Sequence, residues 1–429
     1  MRRATLTATA AASVLLTGLV AVPAVAAPGD PMPGWDPRPE EAHREVAVAG
    51  SGRVFVDASS EGGYKVVSYL ENGYGNDWVR TENDPGTWAE IATGENGYAV
   101  DLRFSADGAA RYRTHDGSTW SDAATFYDDD VHATQFAANS AGDVAVLLRL
   151  HEDGGGGTVL ARLAHGGQWV VQEVPGVPAD VPADVALNDQ GKTTLVWAAP
   201  AGETADVRRS VVRAGSTTLT PPTTVGTVND PAPNLAIDTD GEGRETIIGG
   251  NLLWRQASTN QLPVYRLRAS VHAQLVTGDS ATRVVWPATT ETGYAIRSVL
   301  FDDETQRPQT TLWSHTQPPS GCRADSGIAN VALGVGMVPG GRSYLAVGLR
   351  RDIGTDDTCP DIASLLVVDR QDQVLGEEPL GYFANGEEFQ VDAGAAGPVT
   401  VEFKNWDDGA DPVGEDQPDG LYSLGFFQR

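Results

Sequence analysis

Residues 142–169 read GDVAVLLRLHEDGGGGTVLARLAHGGQW: a turn glycine, an apolar strand over 143–148, a polar loop, another β-rich strand, and a Gly turn closed by Trp169. A short apolar strand precedes the glycine and a last short strand follows the Trp, so one unit holds four strands. The turn glycine recurs at Gly52, Gly97, Gly142, Gly191, Gly243, Gly293, Gly341 and Gly397, at intervals of 45, 45, 49, 52, 50, 48 and 56 residues. Each is followed by a similar strand: RVFVDA, YAVDLR, DVAVLL, KTTLVW, RETIIG, YAIRSV, RSYLAV and PVTVEF. Trp78, Trp120 and Trp169 lie 26, 23 and 27 residues after their glycines, and Leu219 takes that place in the fourth unit. Four short strands in a unit of about 40 to 50 residues mark a β-propeller blade, which buries its faces only against its neighbours. A solenoid repeat is usually shorter, and a pair of sandwiches would not hold one period from residue 46 to 429. No stretch carries a capped helical period. The expected fold is therefore all-β, an eight-bladed propeller of four short antiparallel strands per blade, occupying 46–429. Its last unit has strands near 389–394, 399–403 and 421–427 and lacks a fourth; the alternative is seven blades and an irregular end unit.

Composition bounds the partners. Lys and Arg total 30 against 58 Asp and Glu, a formal charge of −28, and 41% of residues are hydrophobic. Such a chain can bury a large core, and its acidic field disfavours nucleic-acid phosphate. Residues 1–26 have Arg2 and Arg3, an apolar run around Leu15 and Leu16, and the small residues Ala24 and Ala26 before a cleavage point. This reads as a secretory signal cleaved near Ala26. Residues 27–45 read as a Pro-rich linker, whose prolines cannot readily supply a missing ladder strand. No later segment is apolar enough for membrane insertion. The expectation is a secreted monomer in which Cys322 and Cys359, in an oxidising compartment, form a disulfide.

Residues 114–120, Thr-His-Asp-Gly-Ser-Thr-Trp, resemble the Asp-box turn of sialidase-like propellers, one residue short; residues 165–169 and 72–78 carry further decayed forms. The blade plan is similar to secreted bacterial propellers with degenerate Asp-box (BNR/sialidase-like) repeats. That resemblance implies fold and gives Asp116 and Trp120 structural roles, closing the turn and packing between sheets. Sialidase catalysis in that family also uses an early Phe/Tyr-Arg-Ile-Pro motif, which this chain lacks. The only Arg-Pro pairs, Arg38-Pro39 and Arg307-Pro308, lie in the linker and an acidic loop.

If each marker turn joins the first two strands, the loops between strands two and three emerge on the opposite face. Late in the chain these are long, at 249–264, 301–310, 349–362 and 405–421, and long structured loops commonly bind. They carry Trp254 and Arg255; Asp302 and Asp303; Arg350 and Arg351; and Trp406, Asp407 and Asp408. Aromatic residues beside carboxylates suit sugar recognition, and paired carboxylates could cleave a glycosidic bond. Residues 238–243, Asp-Thr-Asp-Gly-Glu-Gly, place Asp238, Asp240 and Glu242 at the alternate spacing of a calcium loop, and calcium is the cofactor they would take. A plain hairpin turn is the other reading, because the ninth position is Thr246. The function expected is noncatalytic binding of an extracellular glycan or protein through one acidic, loop-rich face. The alternatives are a glycan-cleaving enzyme and a cell-surface protein-interaction scaffold.

Overall fold

The structure, a computed structural model, describes residues 42–427 apart from 61–63, 71–77, 85–87, 95–96, 105–107, 130, 151–155, 257–263, 267–272, 292, 304, 317–330, 350–362, 382–388, 395–398 and 405–421. The described residues form strands and turns with no α-helix.

Eight antiparallel sheets follow one another in the chain. The first sheet is β1 (Ala42–Val48), β2 (Val54–Ser60), β3 (Tyr64–Leu70) and β4 (Trp78–Asp84); the second is β5 (Trp88–Thr93), β6 (Tyr98–Phe104), β7 (Ala110–Asp116) and β8 (Ala124–Tyr127). The third is β9 (Val131–Ala138), β10 (Val144–Leu150), β11 (Thr158–Leu163) and β12 (Trp169–Glu173); the fourth is β13 (Ala183–Leu187), β14 (Thr193–Ala201), β15 (Thr204–Val212) and β16 (Thr223–Val228). The fifth is β17 (Leu235–Thr239), β18 (Glu245–Gly249), β19 (Leu252–Arg255) and β20 (Val264–Arg266). The sixth is β21 (Gln274–Thr277), β22 (Ala281–Thr289) and β23 (Gly293–Asp302), with β24 (Thr305–Gln306) and β25 (Thr310–Thr316) both pairing β23. The seventh is β26 (Val331–Met337), β27 (Ser343–Leu349), β28 (Ala363–Val368) and β29 (Val374–Gly381), and the eighth has three strands among the described residues, β30 (Gln390–Ala393), β31 (Val399–Lys404) and β32 (Tyr422–Phe427). β1 thus begins at Ala42, inside the stretch read from sequence as linker.

The first strand of each sheet packs against the first strand of the next, and β30 packs against β1. Apolar clusters fill each space between consecutive sheets: Val100 and Leu102 meet Val146 and Leu148 between the second and third, and Val347 and Leu366 meet Ile296 and Trp313 between the sixth and seventh. Such flanking explains why second strands are apolar on both faces. β6 is buried throughout, whereas outermost β12 is half open and leaves Val170 and Val171 exposed. The layout is a propeller-like all-β architecture, as the repeat implied.

The sixth unit departs from the sequence reading. Its first hairpin turn is at Gly278, not Gly293, and its second strand is β22, ATRVVWPAT, while Gly293 opens the third strand. This turn is one residue tighter than the others, with Gly278 N–H donating to the Ala281 carbonyl where Asn139 N–H spans to Asp143. Pro287 inside β22 also obscures it as a strand.

Buried charges are paired. Asp101 accepts from Arg103 and Arg113 within the second sheet, at 2.8 and 3.0 Å, rather than across sheets. Across the fourth and fifth sheets, fully buried Glu245 holds Arg209 at 2.6 Å and Lys192 at 2.8 Å, and the Thr194 hydroxyl donates to it. Burial alone would raise the Glu245 carboxyl, but these two cations outweigh it and hold it below the ordinary range.

Candidate functional site

The expected late-loop site divides into three parts. Arg350, Arg351, Trp406, Asp407, Asp408, Cys322 and Cys359 lie outside the described residues. Trp254 and Arg255 do not sit in a binding loop, because the chain turns at once over Gly250 and Asn251 and puts both in β19. Trp254 is 1% exposed, between the fourth and fifth sheets, where a Cβ on Gly226 would lie 2.7 Å from its ring. Arg255 is 3% exposed and pairs in register with Thr246, at the marker-turn end of its sheet. Neither side chain can meet a ligand without unpacking this interface. Asp302 and Asp303 also belong to the marker-turn end: Asp303 N–H donates to the Ser280 carbonyl, and Asp302 pairs with Arg370 and, at 2.7 Å, with Arg307.

The expected calcium loop is a hairpin turn. Strand alternation sends Asp238 and Asp240 to different partners. The Asp240 carboxylate accepts from Arg244 Nε at 2.8 Å and Arg255 Nη2 at 2.9 Å, and from the backbone N–H groups of Glu242 and Arg244. Glu242 pairs with Arg244 at 3.0 Å, and Asp238 accepts from the Thr277 hydroxyl at 2.6 Å. Guanidinium groups hold Asp240 and Glu242 while Asp238 turns to a different partner, so the three carboxylates are not gathered as a divalent cation would need. The same economy closes the turn at 116–119, where Asp116 Oδ1 accepts from Ser118 N–H and Thr119 N–H at 2.8 Å each; these bonds lower its carboxyl to about 2. Nearby, Trp120 packs against the buried rings of Phe55 and His115.

The site that the described residues do form lies among the first strands. An open cavity of about 290 Å³ is lined by residues of β30, β1, β5 and β9. Ala47, Ala92, Ala138 and Phe136 supply its apolar walls, and Thr93, Gln390 and Asp392 its polar groups. Four of its lining residues, Ala47, Ala92, Gln390 and Asp392, fall at two positions of a register shared by the sheets. Counting back from the residue whose N–H closes each marker turn (Ala49, Gly94, Asn139, Asn188, Asp240, Gly278 and Val338, with Gly394 equivalent), the position four residues earlier holds Glu45, Glu90, Gln135, Asp184, Ala236, Gln274, Gly334 and Gln390. Two residues earlier it holds Ala47, Ala92, Ala137, Ala186, Asp238, Val276, Gly336 and Asp392. Small and polar residues thus recur on strands whose other positions are mostly apolar, a signal carried by the first strands and not by the loops.

Several of these polar side chains bridge to the next sheet. Asp184 Oδ2 accepts Ile237 N–H at 2.8 Å, Gln274 Nε2 donates to the Leu333 carbonyl at 2.6 Å, and Asp392 Oδ2 accepts Val48 N–H at 2.6 Å, joining the last sheet to the first. Burial raises all three inner aspartates: Asp184 to about 7 and Asp238 to about 6, with Asp392 also above the ordinary range, in each case partly offset by the hydrogen bonds they accept. The three remain partly exposed because they face the interior of the array of first strands.

No family model and no curated protein matches the chain. Among solved structures it is similar to the Dos1 propeller, with a TM-score of 0.50 and 10% identity, over 93% of this chain and 95% of that one. It is also similar to a fungal alcohol oxidase of the AA5 family in complex with copper (TM-score 0.48, 11% identity, 93% and 76% covered) and to AofleA from Arthrobotrys oligospora (TM-score 0.41, 8% identity, 83% and 91% covered). The likeness to the Dos1 propeller concerns the fold alone: this chain folds as an all-β, propeller-like array of antiparallel sheets.

Proposed function

We propose that this protein is an exported, monomeric, noncatalytic binding propeller, its eight sheets forming eight blades around one axis, and that it recognises an extracellular glycan. The observation that carries the reading is the cavity of about 290 Å³ among the first strands, with aliphatic and aromatic walls and a few polar groups. That mixture suits a sugar, whose apolar face packs on carbon while its hydroxyls bond to side chains. A second reading, glycan cleavage, is favoured by one observation: the Asp184 and Asp238 carboxyls are held near neutrality, where a general acid works. Against it, the Asp184 oxygens already accept the N–H groups of Val185 and Ile237.

The test is incubation of the mature protein with a pooled glycan panel, followed by mass spectrometry of both retained and cleaved material. Retention without new products is the expected result. New products would replace binding with catalysis, and a panel neither retained nor cleaved would leave the protein-interaction scaffold as the better account.

A further inference from the structure

The cavity has one carboxylate and no cation among its lining residues, and that imbalance specifies an occupant. Asp392 Oδ2 accepts Val48 N–H at 2.6 Å and Oδ1 accepts Ala393 N–H at 2.7 Å, so each oxygen keeps a lone pair. Two backbone amides orient the group without neutralising it, and burial with no cation close by holds its carboxyl above the ordinary range. A charged donor entering the cavity would relieve that penalty, whereas a neutral hydroxyl would relieve less of it. The volume sits at the lower end of ligand cavities, about 300–1000 Å³, and suits one ring rather than a chain threaded through. Alanines at 47, 92 and 138 keep the walls close to the backbone, and Phe136 adds an aromatic surface for the carbon face of a ring. The formal charge of −28 draws cations toward the molecule as a whole.

Resting on the reading of this cavity as the ligand site, we propose that it accepts an amino sugar with a free primary ammonium, such as a de-N-acetylated glucosamine unit, with the ammonium on Asp392 and the ring against the alanine wall. N-acetylation would remove the charge and add bulk in a space of this size, so the site would select against the acetylated form.

Calorimetric titration of the wild-type protein with glucosamine, N-acetylglucosamine, glucose and ethylammonium chloride tests this. Glucosamine is expected to bind about tenfold or more tighter than glucose and N-acetylglucosamine, the worth of one charge-assisted hydrogen bond, and also more tightly than ethylammonium, which has the charge but no ring to pack on the walls. Ala138→Leu, which fills the cavity from a half-buried position, is expected to abolish binding, as is Asp392→Asn. Should Asp392→Asn not fold, the Leu variant and the ligand series on the wild-type protein still decide. Equal affinity for glucose or N-acetylglucosamine overturns the ammonium assignment while leaving glycan binding intact. Equal affinity for ethylammonium overturns the sugar. Unchanged binding in Ala138→Leu, or no monosaccharide binding alongside retention of panel glycans, overturns the cavity as the site.

Discussion

Arg255 donates to the hydroxyls of Thr246 and Thr282 at 2.7 Å each, to Asp240 at 2.9 Å and to the Asp303 carbonyl at 3.0 Å, and so ties the fifth sheet to the sixth. A guanidinium with that many partners is a structural post. Replacing it by methionine keeps an unbranched apolar stem and removes its donors, leaving Arg244 as the guanidinium on Asp240. Arg255→Met is expected to lower stability by about 3–5 kcal/mol, the usual cost of breaking a buried pair from one side. The midpoint of urea unfolding should fall accordingly, with retention of any bound glycan unchanged. Glu242→Ala, removing an ion pair whose acid is 58% exposed, should shift the midpoint hardly at all. If Arg255→Met instead weakened binding without loss of stability, Arg255 would be a ligand group after all. The sequence held a cue to this placement: Gly249, Gly250 and Asn251 are hairpin-turn residues, and they shorten the supposed loop to a tight turn between two strands. What no local cue could supply is the burial, because the partners Asp240, Thr282 and Asp303 lie 15, 27 and 48 residues away.

At the scale of the element, the marker turns explain why the repeat was legible. Six of them place a glycine in the left-handed region, and several of these glycines pack directly on the preceding unit: Gly142 has φ +83°, and a Cβ there would lie 2.4 Å from the Tyr98 ring. Backbone conformation and interblade contact both demand glycine at that point. Gly202, in the β14–β15 turn, shares the backbone demand with φ +76° but has nothing within 4 Å. Gly202→Ala is therefore expected to cost about 1–2 kcal/mol, the strain of a left-handed alanine, and Gly142→Ala about 2–4 kcal/mol, the same strain plus overpacking. Thermal unfolding of the two variants side by side checks the ordering, and equal losses would show that the turn does not transmit contact between sheets. The same argument explains the misplaced sixth marker. Its turn at Gly278 is a residue shorter, so spacing counted from glycines slipped to Gly293, a glycine that opens β23 instead. Periodicity gave the succession of sheets, while the register within this one depended on a hydrogen bond that spacing cannot reveal.

Across the whole molecule, acidity acts at two depths. The surface carries most of the formal charge of −28, and its self-repulsion is screened by salt. The inner carboxyls Asp184, Asp238 and Asp392 are raised by burial, which salt does not reach. Between about pH 4 and 7 the folded protein binds more protons at these groups than the unfolded chain, so their contribution to stability is present at low pH and lost as pH rises, through about 6 for Asp238 and about 7 for Asp184. Glu245 and Asp302 act in the opposite sense: their lowered carboxyls stabilise above the ordinary carboxylate range, and that contribution disappears as pH falls through their folded values. Stability should therefore peak in mildly acidic solution. At low salt the decline toward pH 8 combines surface repulsion with the inner carboxyls; in 0.5 M NaCl mainly the second part remains. Asp184→Asn combined with Asp238→Asn removes two of the titrating groups. Each asparagine turns an amide N–H toward a hydrogen-bond donor, a cost that is the same at every pH, so the double variant is less stable but flatter. In high salt, the drop in unfolding free energy from pH 5 to pH 8 should be clearly larger for the wild type than for the variant, by an amount on the order of several kcal/mol. Parallel pH profiles for the two proteins would mean that these carboxyls ionise as they do in the unfolded chain, and that the first strands meet around open water rather than around a desolvated interior.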